Sequence, residues 1–224
     1  MSENWQINHK IDVRFNTNVE RTDRVLDVSE AFGLDLKDKE FVIYDNLEFQ
    51  TKSGMRVYVT GQSGSGTSII LRELEKDYKA KGLKVANIDD VKFENKPLIE
   101  QLGKDTAEAT KLLQFAGIGD AYLRIRKPSE LSDGQKYRLR VAKLMEQDAD
   151  VWLCDEFGAV LDRKTAKFLA FSIWKLSLKK KTTVVIATTH KDLVMDFGTN
   201  LLIDKRYAHE MKMTRFNNEL FEEY

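Results

Sequence analysis

The sequence predicts an α/β fold: a mainly parallel sheet with helices on both faces, preceded by an antiparallel β-lobe and interrupted by a helical insertion. Three observations carry the prediction. Short apolar runs rich in β-branched residues alternate with helical patterns through the chain. One such run, residues 55–60, passes straight into the glycine-rich stretch Gly61-Gln62-Ser63-Gly64-Ser65-Gly66-Thr67-Ser68. Another, residues 151–154, ends in two adjacent acids, Asp155 and Glu156, at the strand tip where open α/β sheets receive their ligands.

The elements follow in order. Residues 5–15 and 40–49 read as strands and place an N-terminal β-lobe in residues 1–54. Residues 55–60 form the strand that feeds the glycine turn. Ile70, Leu71, Leu74 and Tyr78 share one face of a helix over 68–81, and Gly82 stops it. Residues 84–88 give the next strand. Pro97 and Pro128 are the two prolines of the chain, and they bracket a segment of different character. Residues 97–126 read as helical with polar joints. A second amphipathic helix follows Ser132, with Tyr137, Val141, Leu144 and Met145 inward. The span 96–148 is therefore an insertion that divides a core of 55–95 and 149–205. That core resumes with the strand 151–154, an apolar helix over 165–178 and the buried strand 182–188. Residues 206–224 are left as a tail.

Composition narrows the function. The chain has 224 residues, of which 42% are hydrophobic, enough for one large core. Its 36 basic and 36 acidic residues cancel, which argues against a generic polyanion binder. A single cysteine, Cys154, forms no internal disulfide and suits a reducing compartment. The polar N-terminus lacks the apolar stretch of a signal peptide, and no run of about 18 apolar residues offers a membrane span. The expectation is a cytoplasmic protein with no membrane segment of its own.

The glycine stretch fits the phosphate-binding loop pattern G-x-x-x-x-G-K-[ST] at every fixed position except the lysine, where Thr67 stands. Such a loop aims backbone N–H groups at phosphate oxygens, and the helix dipole adds to the attraction. Ser68 supplies a hydroxyl for Mg²⁺. Thr67 is too short and uncharged to replace the ammonium that reaches the β- and γ-phosphates. At the acid-tipped strand, Asp155 is placed to hold Mg²⁺ through water and Glu156 to orient or deprotonate an attacking water. Ser132 in Leu131-Ser132-Asp133-Gly134-Gln135 is a helix N-cap whose hydroxyl and neighbouring N–H groups form an anion site. Taken singly, these features also fit an ordinary turn, a solvated acidic corner and a capped helix.

Their order resembles the nucleotide-binding domain of the ABC ATPase superfamily. The run LSDGQ resembles that family's LSGGQ signature, with Asp133 in place of a glycine. Gly158-Ala159-Val160-Leu161-Asp162 resembles the D-loop, and His190 after TTVVIATT stands where the family has its switch histidine. The resemblance covers roughly residues 40–205. Within the family, SELSDGQKYRLRVAKL, DEFGAVLD and ATTHKDL are similar to stand-alone prokaryotic or phage ABC-type ATPases related to those fused to an acetyltransferase-like domain.

The resemblance implies a head-to-tail, nucleotide-dependent homodimer, since the chain carries one copy of each motif and a complete site needs two. Residues Gly61, Gln62, Ser63, Gly64, Ser65, Gly66, Thr67 and Ser68 would bind ATP. Ser68 and Asp155 would hold Mg²⁺, and Glu156 and His190 would be catalytic. Ser132, Gly134 and Gln135 would meet the γ-phosphate of the other chain, and Asp162 would link the two sites. The implied activity is ATP hydrolysis that drives a separate protein partner, a nucleic-acid-modifying enzyme among the candidates. Thr67 supports the alternative of a hydrolysis-deficient regulatory or scaffold module. The chain departs from the family pattern again after residues 85–88, where Asp89-Asp90 stand instead of the Q-loop glutamine; Gln101 comes too late. Phe32 and Phe41 are the candidates for an adenine-stacking ring. The gap between loop and signature is too short for the long coiled coils of repair and chromosome-structure relatives.

Overall fold

The computed structural model describes residues 4–206 and 210–216. Two antiparallel strands, β1 (Gln6–Thr17) and β2 (Lys39–Lys52), form a separate sheet. Helix α1 (Asp23–Phe32) lies in the connection between them. The main sheet has the order β4-β5-β6-β3-β7-β8, formed by β3 (Arg56–Gly61), β4 (Val85–Asn87), β5 (Val151–Cys154), β6 (Thr183–Thr188), β7 (Leu201–Lys205) and β8 (Met211–Arg215). Its pairings are parallel except β7 with β8. The remaining helices are α2 (Thr67–Ala80), α3 (Thr106–Phe115), the short α4 (Ala121–Arg124), α5 (Asp133–Glu146) and α6 (Arg163–Lys180).

Strand periodicity divides the core into two layers. Successive side chains of a strand point to opposite faces. Val57 and Val59 of β3, Val151 and Leu153 of β5, and Val185 and Ala187 of β6 pack with Ile70, Leu71, Leu74 and Tyr78 of α2 and with Ile7, Ile11 and Tyr44 of the N-terminal sheet. Tyr58, Trp152, Cys154, Val184 and Ile186, between them in sequence, face the other way. They pack with Leu112 and Leu113 of α3, Leu139 and Val141 of α5, and Leu169 and Ile173 of α6. Both sheet faces are covered, so these strands read as continuous apolar runs. Tyr137, Val141, Leu144 and Met145 are buried as expected.

The structure differs from expectation at several elements. Helix α1 was not foreseen: its residues were counted within the N-terminal β-lobe, and its apolar side chains Leu26, Val28 and Phe32 stay exposed, Ser29 being its one buried residue. The segment 97–126 holds only α3, α4 and a 3₁₀ turn at Leu98–Glu100 as regular helix. The sheet does not stop at residue 205. Strand β8 pairs with β7 through Lys205↔Met211 to Leu201↔Arg215, so the expected boundary falls between two hydrogen-bonded strands. Residues 207–209 and 217–224 of the expected tail lie outside the described residues. Among the described residues no helix is long and apolar enough to cross a membrane.

Candidate functional site

The parallel strands bring their C-terminal ends to one edge of the sheet. The glycine turn leaves β3, Asp89 and Asp90 follow β4, Asp155 and Glu156 follow β5, and Thr188 closes β6. Two adjoining cavities open there. One, of about 200 Å³, is lined by Ser63, Gly64, Thr67, Ser68, Asp155, Glu156 and Thr188, among others. The other, of about 460 Å³, is lined by Ser68, Arg72, Asp89, Lys136, Arg140, Asp155 and Glu156, among others.

The turn needs its glycines. Gly64 and Gly66 have φ of 76° and 98°, in the left-handed region that side chains with a Cβ avoid. A Cβ on Gly66 would also lie 2.6 Å from Ile43 Cγ2, and one on Gly61 would lie 2.9 Å from the Lys205 carbonyl oxygen. Gly66 caps α2 without a side-chain hydrogen bond, which leaves the first amides of the helix to an anion. Thr67 is the first residue of α2, and its side chain reaches the smaller cavity. The loop therefore keeps its shape while the long cationic side chain is missing.

Glu156 has φ of 47°, a left-handed conformation that is strained for a residue with a Cβ. Its backbone N–H donates to Asp155 Oδ1 at 2.9 Å, which fixes the corner and presents both carboxylates to the cavities. Strain of this kind collects at functional sites. Asp89 shares the larger cavity with Asp155. Burial, and then the neighbouring Asp155 charge, hold its carboxyl above the ordinary carboxylate range. Gln101 is elsewhere: it is buried, accepts from Glu94 N–H at 3.0 Å and donates to Lys96 O at 2.7 Å. It ties off a loop and lines neither cavity.

The signature residues form a closed cap. Gln135 N–H donates to Ser132 Oγ at 3.4 Å, and Ser132 N–H donates to Gln135 Oε1 at 2.9 Å, the reciprocal pattern of a capping box. Asp133 is exposed and its carboxylate lies 3.6 Å from Lys136 Nζ. Ser132, Gly134 and Gln135 line neither cavity of their own chain. Asp162 caps α6, accepting from Thr165 N–H at 3.0 Å and Thr165 Oγ1 at 2.6 Å. Those hydrogen bonds hold its carboxyl below the ordinary range. His190 also lies outside the two linings. Its Nε2 is enclosed without a hydrogen-bond partner, and its carbonyl accepts from Tyr58 Oη at 2.6 Å. Burial, reinforced by the Arg163 charge, lowers its pKa.

Phe32 is 76% exposed at the end of α1, and Phe41 is 51% exposed opposite Phe15 on β1. Both rings are open to solvent. The aromatic that touches the loop is Tyr44, whose hydroxyl donates to Gly66 O at 2.9 Å. Sequence reasoning missed it, because a tyrosine in an alternating strand carries no mark of what lies beyond its ring. It also missed Lys205, which is 1% exposed beside the loop.

No protein-family model matches the chain. Among curated proteins it is similar to the methionine import ATP-binding protein MetN of Clostridium tetani, 26% identical over 219 residues that cover 81% of this chain and 66% of the relative. It is 33% identical to MetN of Vibrio vulnificus over 107 residues, covering 46% of this chain and 30% of that protein. The chain thus spans less than two thirds of the length of these curated relatives. Among solved structures, the dimeric structure of MJ0796, a bacterial ABC transporter cassette, matches with a TM-score of 0.63 at 18% identity over 80% of this chain and 93% of that one. A post-hydrolysis state of the same cassette bound to ADP and Pi matches with a TM-score of 0.61 at 18% identity, over 82% and 95%. The chain shares the ABC cassette fold: α/β, with a mostly parallel sheet and a separate antiparallel pair of strands.

Proposed function

We propose that the chain binds ATP with Mg²⁺ in a head-to-tail homodimer and hydrolyses it to drive a separate protein partner, at a rate limited by Thr67. One observation carries this: the phosphate-type loop and the acid-tipped strand line a single cavity, with Ser68, Asp155 and Glu156 facing it together. Residues 61–68 cradle the phosphates. Ser68 and Asp155 are hard oxygen donors suited to Mg²⁺, which is commonly held by one or two carboxylates plus substrate phosphates. Phosphate and water oxygens would complete the shell. Glu156 orients the attacking water, His190 senses the γ-phosphate, and Asp162 links the site to that of the second chain. Ser132, Gly134 and Gln135 meet the γ-phosphate of the partner copy, as the resemblance of LSDGQ to the family's signature implies. The solved relative described as dimeric supports the assembly.

The test is steady-state ATPase activity of the pure protein, with Glu156→Gln as the blank. Thr67→Lys should raise ATP affinity and raise turnover more, because charge on the transferring phosphoryl group is stabilised chiefly in the transition state. Light scattering should detect a Glu156→Gln dimer with ATP and Mg²⁺; a monomer at saturating ATP would refute the sandwich. Thr67 itself favours a second reading, a hydrolysis-deficient regulatory or scaffold module. Nucleotide binding without turnover in both the unaltered protein and Thr67→Lys would establish it.

The partner is a separate protein, and the likeness to stand-alone ATPases related to acetyltransferase-fused ones makes a nucleic-acid-modifying enzyme the first candidate. The methionine-import relatives make a transport protein the alternative. Co-purification under native conditions distinguishes them.

A further inference from the structure

We propose that Arg140 meets the terminal phosphate of the nucleotide held by its own chain, supplying there a positive charge that position 67 lacks. This rests on the nucleotide-site reading above. The two cavities meet at Ser68, Asp155, Glu156 and Ala159, which line both. Ser63, Gly64 and Thr67 line the smaller cavity and not the larger; Asp89 and Arg140 line the larger and not the smaller. The residues assigned to the metal and the attacking water therefore sit where the cavities join. A phosphate at that junction has the glycine turn on one side and the Arg140 cavity on the other.

Helix α5 carries Lys136 and Arg140 one turn apart, at i and i+4, and both line the larger cavity. Lys136 is engaged, its Nζ 3.6 Å from the Asp133 carboxylate. The Arg140 guanidinium carbon lies over the Phe93 ring, 5.8 Å from its centre. Such a contact uses the flat face of the group and leaves its N–H edge for an acceptor. Asp89 lies within reach of the Arg140 charge, which favours its carboxylate, whereas burial and the Asp155 charge oppose it. Arg140 thus acts on the same acidic corner that would hold Mg²⁺. A triphosphate brings more negative charge than one Mg²⁺ cancels, and a guanidinium fork matches two phosphate oxygens where a point charge does not. Arg72 lines the cavity from α2, one turn after Ser68, and is the competing cation. The link to Asp89 and Asp155 favours Arg140. On this reading α5 serves both sites, its first turn in trans and Arg140 in cis.

The experiment is calorimetry of MgATP and MgADP binding to the full chain, in a Glu156→Gln background that keeps ATP intact. Arg140→Gln should weaken MgATP binding about tenfold, the scale of one charge-assisted contact. MgADP binding should change by at most about twofold, because ADP has no γ-phosphate. Arg140→Lys keeps the charge without the fork and should lose about threefold for MgATP. In Thr67→Lys protein the Arg140→Gln loss should shrink to at most about threefold, since a second cation then serves the same phosphate. Arg72→Gln should cost MgATP at most about threefold. Thermal melts accompany each variant. Equal losses for MgATP and MgADP, an undiminished loss in the Thr67→Lys protein, or a larger loss from Arg72→Gln would overturn the proposal. A loss that vanishes when Asp89→Asn is also present would make Arg140 a counter-charge to Asp89 only, and would overturn it too. Failure of the Arg140 protein to bind either nucleotide would overturn the nucleotide-site reading itself; intact binding that is insensitive to Arg140→Gln would overturn only the role of Arg140.

Discussion

Replacing Glu156 by glycine should make the protein more stable while removing the ATP hydrolysis proposed for it. Glu156 has φ of 47°, and an L-residue in that region costs roughly 1–2 kcal/mol. Glycine relieves this strain but loses more backbone freedom on folding, which returns roughly 0.5–1 kcal/mol. The Glu156 side chain is exposed, so little packing is lost. The hydrogen bond from its backbone N–H to Asp155 Oδ1 at 2.9 Å survives the change. The net expectation is a gain of about 0.5–1 kcal/mol, or about 1–4 °C in Tm for a chain of this size. Urea unfolding followed by circular dichroism, with Glu156→Gln in parallel, measures it. The glutamine variant keeps the strain and should match the unaltered protein within about 0.5 kcal/mol. If Glu156→Gly unfolds at lower urea than Glu156→Gln, the corner is not strained in the folded protein, and the argument that a functional carboxylate is held there against backbone preference fails.

Other predictions concern the scaffold. Gly198→Ala should destabilise by about 2–4 kcal/mol in the same assay, because φ is 60° and the new Cβ would lie 2.5 Å from the Trp174 ring. Lys181 ends α6 with φ of 55°, so Lys181→Gly should stabilise by up to about 1 kcal/mol. His9 is buried between Asp77 at 2.7 Å and Thr51 at 2.8 Å, and burial, outweighing the opposing Asp77 hydrogen bond and charge, lowers its pKa below 6.5. The unfolded chain therefore takes up the proton first as pH falls. The contribution is full above about pH 6.5 and declines below it, and His9→Gln should flatten the fall in stability between about pH 7 and pH 5. Gly66→Ala should abolish nucleotide binding in calorimetry, since φ of 98° and a 2.6 Å contact with Ile43 leave no room for a Cβ.

Much of the main sheet was legible in the chain because its strands are buried on both faces. Runs such as Val151–Cys154 and residues 182–188 can be little else when bounded by polar turns, and the glycine loop and its helix are written in local backbone chemistry. The order of glycine loop, LSDGQ run and acid-tipped strand likewise pointed to the cassette fold, since each motif is a short contiguous pattern. Strand β8 was hidden for the opposite reason: its residues are intermediate or exposed, with no buried face; helix α1 was passed over because it sits between the two strands of the N-terminal sheet. Contacts across sequence were the other gap. Asp89 meets Asp155 because β4 and β5 are neighbours in the sheet, and Lys205 lies under Gly61 because β7 is laid beside β3. Strand order is set by how whole layers pack, not by any local run of residues. The sequence by itself determined that a tight glycine turn would join a strand to a helix, with threonine at position 67; only the tertiary structure decided that Lys205 of β7 would stand opposite Gly61 of β3, because that pairing depends on how the layers pack.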